Sequence, residues 1–162
     1  MSAAVVILLL VTAQRLGELV LANRNTRALK AAGAREFGAR HYPLIVALHA
    51  AWLIGLWWLA WERPVQWSWI AVFVVLQALR VWVIASLGHR WTTRIIVPPG
   101  APMVRWGPYR FLPHPNYLVV VGEIAVLPLV FGLPMFAVVF SLLNAAVLTL
   151  RIRAENRALR LG

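Results

Sequence analysis

Cysteine and aspartate are both missing from this 162-residue chain, and its five glutamates are the entire carboxylate supply. Without cysteine there is no disulfide, no thiolate nucleophile, and no Cys-ligated zinc or iron–sulfur centre. Charge is also scarce: 13% of the residues are Asp, Glu, Lys or Arg, against about 25% in an average soluble domain. Hydrophobic residues instead make up 62%, and the mean hydropathy is +0.76. A soluble unit of this length cannot hide so much apolar surface. The solvent must be lipid, which excludes a cytosolic globular enzyme, a disordered tail and a disulfide-stapled secreted module. The net charge of +11 leaves nucleic acid or a membrane surface to be separated by where the charge falls.

A bilayer core of about 30 Å takes about 20 apolar residues at 1.5 Å each. Such runs extend over Ala3–Ala22, Pro43–Trp61 and Val65–Leu87, and a closely spaced pair covers Asn116–Phe131 and Pro134–Leu150. The first run lacks a basic leader and carries Arg15 and Glu18, so it is expected to be a retained span and not a signal peptide. The last two are short and form a hairpin that either crosses or re-enters. The expected fold is therefore an all-α integral membrane protein of about five spans. One unit holds three N-terminal helices (1–87) followed by a Pro-rich segment, the hairpin and a basic tail (88–162).

Arginines crowd the connections 23–42 and 88–113 and the tail, whereas the connection after Trp61 holds only Glu62 and Arg63. Alternate basic connections are the positive-inside pattern of an N-out, C-in chain in a cell (inner) membrane. Trp57, Trp58, Trp61, Trp67 and Trp69 mark the opposite interface. The positive charge thus reports topology, and no nucleic-acid partner is expected.

The stretch 88–117, GHRWTTRIIVPPGAPMVRWGPYRFLPHPNY, holds six prolines. Proline fixes φ and removes a donor, so an ordered non-helical segment is expected here. Long connections of that kind usually carry function; a plain Pro-rich linker is the alternative. Gly107-Pro108-Tyr109-Arg110, then His114-Pro115-Asn116-Tyr117, then Arg151-Ile152-Arg153-Ala154-Glu155 one hairpin later resemble the isoprenylcysteine carboxyl methyltransferase family. The resemblance runs from about residue 80 to the end and implies a membrane-embedded O-methyltransferase using S-adenosyl-L-methionine. It implies cofactor contacts at Ala101, Pro102, Met103, Val104, Tyr109, His114, Pro115, Asn116, Tyr117 and Glu155, with a looser one near Arg94. It places Arg151 beside the acceptor. Two departures stand out. Asn156 occupies a position where members commonly have a second Glu, and Ala101-Pro102 replace the polar residue or His of eukaryotic members. The short first loop and the HYP at His41–Pro43 are closer to bacterial members, one branch of which methylates long-chain alkylpyrones.

The residues also make chemical sense together. A sulfonium donor with an ammonium, a carboxylate and an adenine needs a carboxylate, several donors and a flat apolar slot. Glu155, His114 with nearby arginines, and Tyr109, Tyr117 or Trp106 are residues of those kinds. Methyl transfer is an in-line displacement in which orientation and desolvation carry much of the rate. No metal is expected, since two His without clustered carboxylates make no metal site. A base is needed only for a protonated acceptor, and His114 is then the candidate. His41, His49 and His89 are read as structural or interfacial. Arg15, Glu18, Arg80 and Glu123 lie inside apolar runs, where ionisable groups pair or function. Arg80 with Glu123 is expected to be a structural pair; lining of the cofactor cavity by Glu123 is the alternative. The expected partners are a lipophilic small-molecule acceptor and membrane lipid, and a monomer is expected. A nicotinamide-dependent membrane reductase and a non-enzymatic lipid-binding scaffold are the other classes in play; the chain has no GxGxxG.

Overall fold

The computed structural model describes residues 2–102 and 104–161, with side chains placed up to Ala158 apart from that of Met103. Five α-helices run α1 (Ala3–Ala31), α2 (Tyr42–Ala60), α3 (Trp67–Leu87), α4 (Pro115–Val130) and α5 (Pro134–Leu161). Two three-residue strands, β1 (Arg35–Phe37) and β2 (Ile95–Val97), pair antiparallel, with Glu36 opposite Ile96. Four helices are long and apolar enough to cross a bilayer, and α4 is a shorter apolar helix of 16 residues. The chain is an all-α integral membrane protein.

Two boundaries differ from the sequence expectation. The first basic connection does not begin at Asn23: α1 continues as helix to Ala31. Nothing in Asn23–Ala31 stops a helix; the next glycine is Gly33, at φ 87°, where the left-handed conformation ends the run. Likewise α5 continues through the basic tail, 28 residues in one helix, or about 42 Å. Arg151 and Glu155 therefore sit on the continuation of a membrane helix, not on a separate tail.

Helices α3, α4 and α5 pack closely side by side, and the core is buried among Leu8, Trp52, Phe73, Ile124, Leu127 and Phe131. At the end away from the ribbon, Ser2 Oγ donates to the Trp61 carbonyl, Trp57 Nε1 donates to Thr12 Oγ1 (2.9 Å), and Gln66 N donates to the Val130 carbonyl (2.7 Å). A Cβ on Gly55 would lie 2.8 Å from the Phe136 ring, so glycine permits α2 to meet α5 there. At the other end, Asn25 Nδ2 donates to the carbonyls of Gly88 (3.2 Å) and Trp91 (2.8 Å), tying α1 to the end of α3. The basic connections gather at this ribbon end.

Candidate functional site

His114 occupies the N-cap position of α4, with Pro115 in the first turn, where a missing N–H costs nothing. Tyr117 follows in that turn and is buried. Its hydroxyl donates to Glu155 Oε2 and accepts from Arg151 Nε at 3.0 Å. Among the described residues no ion pair joins Arg151 to Glu155; the i, i+4 pair that the spacing allows is replaced by a shared Tyr117 hydroxyl. The second arm of Arg151, Nη2, donates to the Thr93 carbonyl at 2.7 Å, so the loop after α3 also fixes the guanidinium.

Asn156 has a use of its own. A carbonyl oxygen only accepts, so His114 Nε2 donates to Asn156 Oδ1 at 3.2 Å. The other ring nitrogen, Nδ1, lies 3.7 Å from Glu155 Oε1, an ion pair whenever the imidazole is doubly protonated. Glu155 and His114 keep side-chain exposures of 26% and 20%, leaving both reachable from the aqueous side. Tyr109 sits on the single 3-10 turn Gly107–Arg110. Burial, then the charge of Glu155, pushes its phenol pKa well above the ordinary value, so it stays a neutral donor. That turn is held against α3 because residue 107 is glycine: φ is 60°, and a Cβ would overlap Ser86 Oγ.

Not every expected residue joins this cluster. Ala101, Pro102 and Val104 lie in the coil between β2 and the 3-10 turn, where Arg90 Nη1 donates to the Pro102 carbonyl (2.7 Å); Met103 lies outside the described residues. Pro115 is buried, and Asn116 keeps a buried Oδ1 without a partner. Trp106 is 59% exposed. Arg94 is engaged elsewhere: it donates to Glu36 Oε1 (2.7 Å) and stacks 4.0 Å from the centre of the Tyr42 ring.

Beside the cluster lies a cavity of about 300 Å³ among all five helices, with mostly apolar walls. Arg151 and Tyr117 line it at the ribbon end. Sequence reasoning did not find this chamber, nor His49 and Asn144, which also line it. Their signal was polarity inside apolar runs. One wall carries an ion cluster. Arg80 donates to Glu18 through Nε (2.5 Å) and Nη2 (2.6 Å) and to Glu123 Oε2 through Nη1 (2.6 Å). Arg15 reaches Glu123 (2.8 Å) and Glu18 (3.2 Å). Glu123 is thus paired with arginine, Arg80 included, as the sequence led us to expect, and two Arg against two Glu leave no net charge. Among the described residues no group of three or more His, Cys, Asp or Glu is placed to hold a metal.

Residues 69–161 match the Isoprenylcysteine carboxyl methyltransferase (ICMT) family. The chain belongs to that family. It is similar to the uncharacterized protein YpbQ of Bacillus subtilis, 40% identical over 153 residues, covering 91% of this chain and 90% of that protein. It is also similar to an uncharacterized protein of Haemophilus influenzae, 25% identical over 160 residues, covering 92% and 90%. No solved structure matches it. Family membership makes this a multi-pass protein of a membrane methyltransferase family, with a lipophilic substrate implied. The matched span contains Tyr109, His114, Tyr117, Arg151 and Glu155, whereas α1 and α2, which form much of the cavity wall, lie outside it.

Proposed function

We propose that this chain is an S-adenosyl-L-methionine-dependent O-methyltransferase of a cell (inner) membrane, its active site facing the cytoplasm. The acceptor is a hydroxyl or carboxylate on a lipophilic long-chain molecule. One observation carries the proposal: Tyr117 and Arg151 bridge a partly exposed carboxylate, Glu155, and a cavity open to all five helices. A polar cofactor arriving from water and an apolar acceptor arriving from lipid need such a junction.

The residues fit the cofactor's chemistry. Glu155 is the carboxylate for its ammonium; Tyr109 supplies a phenol face and a donor, Tyr117 a phenol face, and His114 an imidazole whose Nδ1 is free to accept. Ala101, Pro102 and Val104, by backbone and apolar atoms, and Pro115-Asn116 complete the contacts that family resemblance implies; Met103, implied with them, lies outside the described residues. When bound, the cofactor supplies an electrophilic methyl group. Arg151 then orients the acceptor oxygen: its guanidinium keeps its charge in an apolar chamber and offers parallel donors to a planar anion. Burial excludes water from the approach. Where the acceptor is protonated, His114 takes the proton at Nδ1, the nitrogen left free by Asn156.

The alkylpyrone-methylating branch is the acceptor class to try first, because a bacterial relative covers nearly the whole chain. The test is transfer of labelled methyl from S-adenosylmethionine by purified protein to a long-chain hydroxypyrone or a prenylcysteine analogue. Failure to bind S-adenosylhomocysteine and to methylate either acceptor would refute the assignment.

A further inference from the structure

A second polar level crosses the membrane interior of this protein. Asn25, Tyr42, Leu87, Asn116 and Arg151 lie on the five helices near the loop 88–93, which Asn25, Tyr42 and Arg151 bond directly, although α1 and α5 run on past it. Seven residues inward from each stand Glu18, His49, Arg80, Glu123 and Asn144. Seven residues are two helical turns, about 10 Å, so each of the five helices carries a polar side chain two turns further in. Tyr42 and Arg151 are level because both bond Thr93, one at its hydroxyl (3.0 Å) and one at its carbonyl (2.7 Å). His49 and Asn144, each two turns further in, both line the same cavity.

Three of the five are spent. Glu18, Arg80 and Glu123 satisfy one another with Arg15. The remaining two are not. Asn144 is 3% exposed and lines the cavity, and its amide makes no hydrogen bond to any described residue. An unbonded amide in a membrane interior costs free energy that a partner would recover. His49 Nδ1 lies 2.9 Å from the Ile45 carbonyl; a carbonyl only accepts, so the proton sits on Nδ1 and Nε2 keeps a free lone pair. Beside them Arg15 Nε is buried without a partner.

We propose that Asn144 and His49 form a second recognition site, which takes a hydroxyl carried mid-molecule about 10 Å from the acceptor's reacting oxygen. A hydroxyl suits the pair because it donates to His49 Nε2 while accepting from the Asn144 amide. The acceptor is then an amphiphile with an acidic head, and a hydroxyl in the middle of its otherwise apolar chain adds to its binding. Its apolar end leaves sideways, where Leu16, Leu19 and Val46 line the cavity and are also exposed on the lipid face. The inference rests on the assignment of the acceptor's reacting end to Arg151.

Tryptophan fluorescence tests this without any methyl donor, since Trp52 and Trp91 line the chamber. Purified protein in nanodiscs is titrated with stearate and with a hydroxystearate bearing its hydroxyl at mid-chain. Wild type should bind the hydroxylated probe about tenfold more tightly, the effect of one buried hydrogen bond. Asn144→Leu should bring the two probes within about twofold of each other without lowering the apo thermal midpoint, because it removes an unsatisfied amide. His49→Phe is the second variant and should erase the same preference. Equal binding of both probes by wild type, or a preference that survives both substitutions, overturns the proposal. A drop in midpoint for Asn144→Leu also overturns it, by revealing a structural partner. Absence of methyl transfer would refute the enzymatic assignment alone, because this titration does not depend on it.

Discussion

Glu155→Gln isolates the charge that the proposed cofactor site depends on. Glutamine has nearly the shape of glutamate, and its carbonyl oxygen still accepts from the Tyr117 hydroxyl, so the junction of α4 and α5 should stay assembled. What disappears is the only carboxylate that the described residues bring to the site. Asn156 provides no substitute, being occupied by His114 Nε2, and Glu18 and Glu123 are locked on arginines inside the membrane. A hydrogen bond to a charged group is worth about 1.5–3 kcal/mol. Glu155 remains 26% exposed, and water screens part of that, which places the expected loss near the lower end, about 1.5–2 kcal/mol. The dissociation constant for S-adenosylhomocysteine should then rise about 10- to 30-fold. Calorimetric titration of protein in nanodiscs reads it, with the thermal midpoint as a check on folding. Unchanged affinity in a folded Glu155→Gln protein would refute the role given to this carboxylate.

Other substitutions separate the remaining roles. Arg151→Lys should leave S-adenosylhomocysteine affinity within about twofold and lower turnover, because lysine lacks the fork that fixes an anionic oxygen; His114→Ala should raise the cofactor dissociation constant first. Equal loss of cofactor binding in both would merge the two roles, as the shared Tyr117 hydroxyl permits. Single cysteines at Ala31 and Ala101, introduced into this Cys-free chain, should label only from the cytoplasmic side, and periplasmic labelling would reverse the topology. Glu123→Gln leaves Arg80 and Arg15 sharing one carboxylate and should destabilise the fold by about 3 kcal/mol in denaturant titration. The double variant Arg80→Met/Glu123→Leu should cost less, because it buries no unmatched charge.

Hydropathy located every helix, since a run of apolar residues long enough for lipid permits few alternatives. Helix ends were harder. Asn23–Ala31 and Arg151–Leu161 are polar, and polarity marks the edge of the bilayer, not the edge of a helix; both segments continue helical into water. The short β1–β2 ribbon left no periodicity to read, because three-residue strands are shorter than any pattern. His114, Tyr117 and Glu155 were legible as a motif, and their convergence follows from the tight α4–α5 turn. The cavity was not legible, because its wall is assembled from single residues on five helices, and a lone His49 or Asn144 carries no spacing signal. Arg15 and Glu18 were readable as neighbours on one helix, whereas their further partners, 62 and 108 residues away in sequence for Glu18–Arg80 and Arg15–Glu123, were fixed only by packing.

The intramembrane charges also imply an order of construction. Synthesis delivers the helices from the N-terminus, and α1 enters lipid with Arg15 and Glu18 already matched, one turn apart. Helix α3 brings Arg80 without a carboxylate of its own, and it can dock at once on Glu18, which accepts two of its N–H groups. At that stage one positive charge is left over in the bilayer, until α4 arrives with Glu123 and closes the account between Arg80 and Arg15. Each newcomer thus finds a counter-charge waiting. A chain halted after residue 114 would carry an unmatched arginine in hydrocarbon, where an unpaired charge is costly.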